Sequence, residues 1–456
     1  MPERDEQIQQ VLKEIEARNV RFVRLQFIDI LGIPKNVEIP ADELEQVLQN
    51  DLAFDGSSIE GFARISESDM YLRPDPSTFA IYPWRVNALN QDGDGEGQHT
   101  ARLICDVYTP QGEPFSGDPR YALRRAIAEA AQQGYAMYAG PEPEFFLLQK
   151  DEHGRPTLDV HDRGGYFDLM PIDLGEETRQ DIVLALEEMG FNVEAAHHEV
   201  APGQHEIDFR YTNALRTADN IVTFKLVTKT IALFRGLHAT FMPKPVAGEN
   251  GSGMHTHLSL FKDDINTFYD PSDEYNLSEV AYQFMAGLIA HIDAITALTS
   301  PTINSYKRLV PGYEAPVNIS WARINRSALI RIPASNTPEV STRLEFRSPD
   351  PSTNPYLAFA AILRSGLDGI ARKLTPPSPV EEDIYEMTEE QRRKHQISVL
   401  PASLDQALEA LENDEVIRGA LGEHIFERFL AAKHEELLGY RTAVTQWEID
   451  RYLDYY

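Results

Sequence analysis

The chain has 456 residues, and its 72 Asp and Glu against 42 Lys and Arg give a formal net charge of −30. So acidic a surface repels nucleic acid phosphates and anionic membranes, which excludes both as expected partners. Cys105 is the only cysteine, so an intramolecular disulfide and a thiolate metal cluster are both excluded.

The length allows two or three domains. Met1 to Arg18 reads as a charged amphipathic helix carrying Ile8, Val11, Leu12 and Ile15, rather than an apolar signal region. No apolar run approaches the roughly 20 residues that span a bilayer, so the expected location is cytoplasmic. Val23, Leu25 and Phe27 alternate with polar residues as in a half-buried strand, and Val37 and Ile39 resume that pattern after a turn at Gly32 to Asn36. The loop Asp92 to Gly97 is glycine-rich, but its carboxylates would repel phosphate. Ala101 to Tyr108 is a further strand, and Pro110 to Gly117 marks a domain boundary. Asp118 followed by Pro119 predicts a capped helix start, with Gly134 ending the helix. Helices are expected near 178–189, 214–235 and 278–298, and strands near 136–148, 205–211, 237–242 and 254–261. Beyond Leu374 a Pro-rich, charged connection leads to helices from about 403 onward. The order is α+β rather than alternating β-α, and no Walker-type phosphate loop occurs.

Short segments concentrate acid, histidine and arginine in apolar surroundings. In Gly140-Pro141-Glu142-Pro143-Glu144 the two acids share one side of a strand, where close like charges favour a bound cation or a raised pKa. Taken alone, an exposed edge bearing two acids is the commoner case. In the stretch from His197 to Phe209, Glu199 and Glu206 can converge across the Ala201-Pro202-Gly203 turn, while paired histidines are more often hydrogen-bonded structural groups than ligands. Asn250 to Ser259 feeds a glycine turn into a strand whose His255, His257 and Ser259 share a face. Arg343, Glu345 and Arg347 share another, which is either a surface ion-pair ladder or a functional row. Lys307, Arg308, Arg326 and Arg331 add cations suited to an anionic substrate or phosphate. Glutamates with one histidine and no cysteine favour Mg²⁺ or Mn²⁺ over zinc, and the arginines fit phosphoryl transfer.

Read in order, these segments resemble glutamine synthetase of the bacterial and archaeal type I family. Phe54-Asp55-Gly56-Ser57-Ser58, His198-Glu199-Val200-Ala201-Pro202-Gly203-Gln204, Asn304 to Pro316, Asn325-Arg326-Ser327 and Asp350 to Tyr356 carry the resemblance over nearly the whole chain. It implies a small N-terminal β-grasp domain (1–110) and a large C-terminal catalytic domain (111–456) with a curved antiparallel sheet flanked by helices and a helical tail. It further implies ATP-dependent ligation of ammonia to L-glutamate, through γ-glutamyl phosphate, at a two-metal site. Glu144, Glu199 and Glu206 match one metal position, and Glu142, His255 and Glu345 the other. Asn250, Gly251, Arg308 and Arg331 match substrate-binding positions, with Arg326, Arg331 and Arg347 around the transferred phosphoryl group. His257 and Ser259 fall where the nucleotide approaches. Asp55 matches the acid that takes a proton from ammonium, and Glu314 a flap over the intermediate.

The same resemblance implies a dodecamer of two six-membered rings, with Asp55 supplied across a subunit boundary, and allows a regulatory partner protein. Asp383-Ile384-Tyr385-Glu386-Met387 departs from the adenylylated subclass, so modification of Tyr385 is not expected. Arg64 matches an arginine linked to feedback inhibition by glutamine in the shorter subclass. A γ-glutamylamine ligase of the same superfamily and a catalytically inactive relative are the competing readings. Asp55, Glu314 and the intact ligand set weigh against both.

Overall fold

The computed structural model describes residues 2–59, 61, 69–85, 98–313, 315–325, 327–382, 384–395 and 397–456. The rejected glycine-rich loop at Asp92 to Gly97 lies outside them.

The first sheet comprises β1 (Val20–Ile28), β2 (Pro34–Pro40), β3 (Leu52–Asp55), β4 (Asp69–Pro74), β5 (Ala80–Arg85) and β6 (His99–Tyr108). Its order is β2-β1-β6-β4-β3 with β5 also on β6, and β1 runs parallel to β6. Val23, Leu25 and Phe27 turn one face of β1 into a core shared with Val11 and Ile15 of α1 (Pro2–Ala17) and Leu44 and Val47 of α2 (Leu44–Asn50). This is a β-grasp: one sheet, one apolar face, helices across it.

The second sheet is larger and curled. Its strands are β7 (Ala136–Lys150), β8 (Pro156–Val160), β9 (Val193–His198), β10 (Gln204–Phe209), β11 (Thr212–Asn213), β12 (His238–Thr240), β13 (Met254–Lys262), β14 (Ile265–Asn266), β15 (Asn318–Ala322), β16 (Ala328–Arg331), β17 (Leu344–Phe346) and β18 (Ser398–Val399). The main path runs β18-β15-β16-β17-β13-β7-β10-β9. Among the described strands its pairings are antiparallel except β15 with β16.

Helices cover this sheet: α3 (Pro119–Gln132), α4 (Glu176–Glu188), α5 (Ala214–Phe234), α6 (Glu279–Ala290), α7 (Ile292–Thr299) and the short α8 (Ser305–Arg308) and α9 (Pro338–Ser341). Then follow α10 (Pro355–Arg372), α11 (Glu389–Lys394), α12 (Leu404–Glu412), α13 (Glu415–Leu421), α14 (Glu423–Thr442) and α15 (Gln446–Tyr452). The Asp118 carboxylate accepts the Arg120 N–H at 2.9 Å, so α3 starts where the sequence pattern places it. The stretch expected as one helix over 278–298 is two helices, bent by 76° at His291. No single helix among the described residues is long and apolar enough to cross a membrane.

Candidate active site

The site opens where β7 changes partner. β7 pairs with β13 as far as Pro143 and with β10 from Glu144 onward. A residue at such a parting would leave an N–H without a ladder acceptor, and Pro141 and Pro143 have none to leave. Glu142 and Glu144 alternate with these prolines, so the acids sit at the parting itself. Glu142 stands opposite His255 on β13, and Glu144 opposite Glu206 on β10. Long-range pairing thus converts a local Pro-Glu-Pro-Glu pattern into one wall of a cavity of about 1050 Å³.

Ligand-bearing atoms of Glu142, His255 and Glu345 lie within 4.8 Å of one another. His255 Nδ1 is 3.4 Å from a Glu142 oxygen and 4.0 Å from a Glu345 oxygen. Two carboxylates and an imidazole at this spacing fit a hard divalent cation. Burial works to raise the Glu142 carboxyl, but hydrogen bonds from His255 and His257 hold it well below the usual carboxylate range.

The second group is arranged differently from the expected Glu144, Glu199 and Glu206. His197 stands between two of these acids, with Nδ1 3.6 Å from Glu199 and Nε2 3.1 Å from Glu206. Here the close cluster is His197, Glu206 and Asp208, while Glu144 and Glu199 line the same cavity. Burial, then the charges of Asp208, Glu144, Glu142 and Glu199, push the Glu206 carboxyl well above its ordinary value. Asp208 is pushed up to about 8 by burial and then by Glu142, Glu144 and Glu194. Carboxylates crowded to this degree call for a positive charge among them.

Cations come from the far wall. Arg331 and Arg347 both pair with Glu345, Arg347 at 3.4 Å. Buried Arg308 donates to the carbonyls of Ser348 at 2.9 Å and Arg347 at 3.2 Å, which fixes it beside Asn250 and Gly251 in the cavity lining. A Cβ on Gly251 would lie 2.4 Å from the Pro243 carbonyl, so this loop approaches other backbone as only glycine allows. His257 and Ser259 line a neighbouring cavity of about 370 Å³ with Tyr138, Tyr211 and Arg343. Arg343 donates to His257 Nδ1 at 3.0 Å, so His257 Nε2 carries the proton it gives to Glu142 at 2.6 Å. Glu142 faces both cavities and joins them.

Asp55 is not part of this cavity within one chain. It ends β3 fully exposed, and its carboxylate accepts the Ser57 N–H at 2.8 Å, which holds its pKa below the usual value. Arg64, Glu314 and Arg326 lie outside the described residues.

Asp208, which the strand period puts on the same face as Glu206, and Gln204, which closes the His198–Gln204 segment, also line the cavity, although neither was expected as a site residue. Behind the same hairpin, Asp162, Asp173, His198 and His205 form a fully buried group within 4.8 Å. It has the look of a cation site, but Arg179 settles it otherwise. Arg179 donates to Asp173 and to His205 Nδ1, each at 2.8 Å. An accepting Nδ1 puts the His205 proton on Nε2, the nitrogen a cation would need. His198 meanwhile bonds Asp162 at 3.0 Å and the Glu199 carbonyl at 2.7 Å, so the group is a buried ion-pair network that braces the hairpin.

Comparison with known proteins agrees with this architecture. The family described as the glutamine synthetase beta-Grasp domain matches residues 19–110, and the glutamine synthetase catalytic domain matches residues 116–452. The glutamine synthetase of Thermus thermophilus is 59% identical over 448 residues, covering 98% of this chain and 99% of the relative. That of Thermotoga maritima is 58% identical over 446 residues, covering 98% and 99%. A solved structure described as a GmaS/ADP complex aligns with a TM-score of 0.86 at 33% identity, covering 97% of this chain and 99% of the other. The matches run from the first sheet through the cavity to the helical tail, and the chain belongs to the glutamine synthetase family.

Proposed function

We propose that this cavity carries the ATP-driven joining of ammonia to the side-chain carboxylate of L-glutamate, giving L-glutamine, ADP and phosphate by way of γ-glutamyl phosphate. A carboxylate resists amide formation because its leaving group would be oxide. Attack of a carboxylate oxygen on the γ-phosphorus expels ADP and leaves an acyl phosphate. Ammonia then attacks the acyl carbon and phosphate departs.

Glu142, His255 and Glu345 would hold one magnesium or manganese ion, and Glu144, Glu199 and Glu206 another. Bound there, such ions draw charge from phosphate oxygens. Arg331 and Arg347, with Arg326, neutralise the group in transfer and orient it. Asn250, Gly251 and Arg308 hold glutamate, and the smaller cavity with His257 and Ser259 takes the nucleotide. Glu314 closes over the intermediate and excludes water. Asp55 takes a proton from ammonium. Its full exposure at the end of β3 suits a residue offered to a neighbouring subunit. The assembly that follows is a dodecamer of two hexameric rings in the cytoplasm, with Arg64 as a feedback position and a surface open to a regulatory protein.

The observation that carries this reading is the meeting of Glu142, His255 and Glu345 with Arg331 and Arg347 on one cavity. An amine-ligating activity is not favoured, because the relatives at 58–59% identity are glutamine synthetases; an inactive chain is not favoured for the same reason. Glutamate labelled with ¹⁸O in its side-chain carboxylate tests the chemistry. One labelled oxygen should appear in phosphate per glutamine formed. Phosphate free of label, or ADP release indifferent to glutamate, would overturn it.

A further inference from the structure

Gln204 opens β10 with its side chain buried, 1% of its surface being exposed. Its Nε2 donates to Glu144 Oε2 at 2.8 Å, to the Gly251 carbonyl at 3.1 Å and to Ser252 Oγ at 3.4 Å. Its Oε1 accepts the Ala201 N–H at 3.2 Å. Only a group with a donor at one corner and an acceptor at the other satisfies this site. A carboxylate would set oxygen against the Glu144 and Gly251 oxygens, and an apolar side chain would strand the Ala201 N–H.

Glu144 Oε2 also accepts the Gly253 N–H at 2.9 Å. Both of these donors meet the same oxygen, so the carboxylate is pinned in rotation and Oε1 is the oxygen available to a cation. The main chain of Gln204 reaches the next acid, its carbonyl accepting the Glu199 N–H at 2.8 Å. The Gly251–Gly253 loop has little room to compensate, since a Cβ on Gly253 would lie 2.5 Å from Arg308 Nη2. One buried amide therefore touches Glu144, the hairpin bearing Glu199, and the loop bearing Asn250 and Gly251.

We infer that Gln204 is a positioning residue that sets Glu144 and the Asn250–Gly253 loop in one register, so that the cation and glutamate sites are built together. This rests on the reading of Glu144 as a cation ligand. Groups that orient a metal ligand through one of its own atoms typically change metal affinity by roughly 10- to 100-fold when removed. Because the same amide holds the glutamate loop, its loss moves both affinities.

The test is direct Mn²⁺ titration of the full chain without nucleotide, beside glutamate and ATP kinetics. Gln204→Met, close in volume but without polar ends, should weaken one class of Mn²⁺ site by roughly 10- to 100-fold and raise KM for glutamate more than KM for ATP. Combined with Glu144→Gln it should weaken Mn²⁺ no further than Glu144→Gln alone, since both act on one ligand. Gln204→Asn keeps an amide one methylene shorter and should behave alike, which serves if the methionine variant does not fold. Mn²⁺ affinity in a folded Gln204 variant equal to that of the unmodified chain, with Glu144→Gln impaired, overturns the role of Gln204 alone. Unchanged affinity in Glu144→Gln overturns instead the ligand reading beneath it.

Discussion

Glu144 and Glu206 face each other directly across the β7–β10 ladder, two carboxylates where a sheet ordinarily places an opposite charge or an apolar pair. Both line the large cavity, and burial and neighbouring acids raise the Glu206 pKa well above normal. Without a cation this arrangement costs stability, so activity and stability should part company here. Glu206→Gln should raise the melting temperature of metal-free protein while reducing glutamine formation by at least about 100-fold. Mg²⁺ or Mn²⁺ at a hundredfold excess over Kd should stabilise the unmodified chain by about 2.7 kcal/mol, and the variant by less. Thermal melts with and without metal check both. An equal metal response in the two proteins would remove Glu206 from the cation site.

Much of this site was legible because strands have a period of two. Glu142 with Glu144, and His255 with His257, announced their shared faces without any structure. Convergence was not legible, because β7 serves β13, β10 and shorter strands at once and nothing local states the strand order. His197 was read as a structural histidine beside His198, and only the register of Glu206 opposite His197 separates their surroundings. The helix α10 went unremarked for a different reason. Leu357 to Leu363 is buried at every position, so no polar face marks its turn. The break at His291 was hidden likewise, since the two aspartates that its ring bonds, Asp368 and Asp414, lie far along the chain.

Arg331 and Arg347 both pair with Glu345 in the lining of the large cavity, and in the proposed reaction each has the task of facing the transferred phosphoryl group. Burial lowers the Arg347 pKa, Glu345 opposes this, and the guanidinium stays charged throughout the neutral range. Arg331→Ala or Arg347→Ala should lower kcat by about 10²–10³, the loss expected when one donor to a developing charge is removed, with a smaller change in KM for glutamate. Steady-state kinetics with each substrate varied decides it. A change confined to KM would recast these residues as simple substrate binders.

His291 marks the bend between α6 and α7 and ties it to later helices. Its Nδ1 lies 2.6 Å from Asp414 and its Nε2 3.0 Å from Asp368, and only the imidazolium offers N–H at both nitrogens. Burial works against the charge, but the hydrogen bonds to Asp414 and Asp368 prevail and raise the pKa above its ordinary value. A histidine whose folded pKa exceeds its unfolded value stabilises fully below about pH 6.5, and that gain is lost as pH rises through the folded value. Asp414 also caps α13, accepting the Val416 and Ile417 N–H groups at 3.0 Å. The C-terminal helices should therefore loosen on the alkaline side. The difference in melting temperature between the unmodified chain and His291→Gln should be greatest near pH 6 and shrink toward about pH 9. A difference that grows with pH would contradict the imidazolium.

A buried guanidinium on α3, that of Arg120, links the first sheet to the helices that cover the second. Arg120 is 2% exposed and donates to Asp106 at 2.6 Å and Asp75 at 2.9 Å on the N-terminal side, and to Asp219 of α5 at 2.9 and 3.0 Å. Tyr356 of α10 adds its hydroxyl to Asp219 at 2.7 Å. Removing the cation leaves buried Asp219 with no charged partner among the described residues, only the Tyr356 hydroxyl, and leaves Asp75 and Asp106 to Arg124 alone, a change that costs about 3–5 kcal/mol. Arg120→Met should show this in denaturant unfolding, with the first sheet melting ahead of the second. Arg120→Lys keeps the charge but lacks the fork, so it should recover only part of the loss. Because β3 carries Asp55 at its end, a loosened first sheet also misplaces the proposed ammonium acid. KM for ammonium should accordingly rise in Arg120→Lys while KM for ATP stays close to its original value, for the cavity proposed for the nucleotide is lined by strands of the second sheet, their loops and α9, and by no residue of the first sheet. Equal changes in both constants would mean that the clamp supports the fold and nothing more.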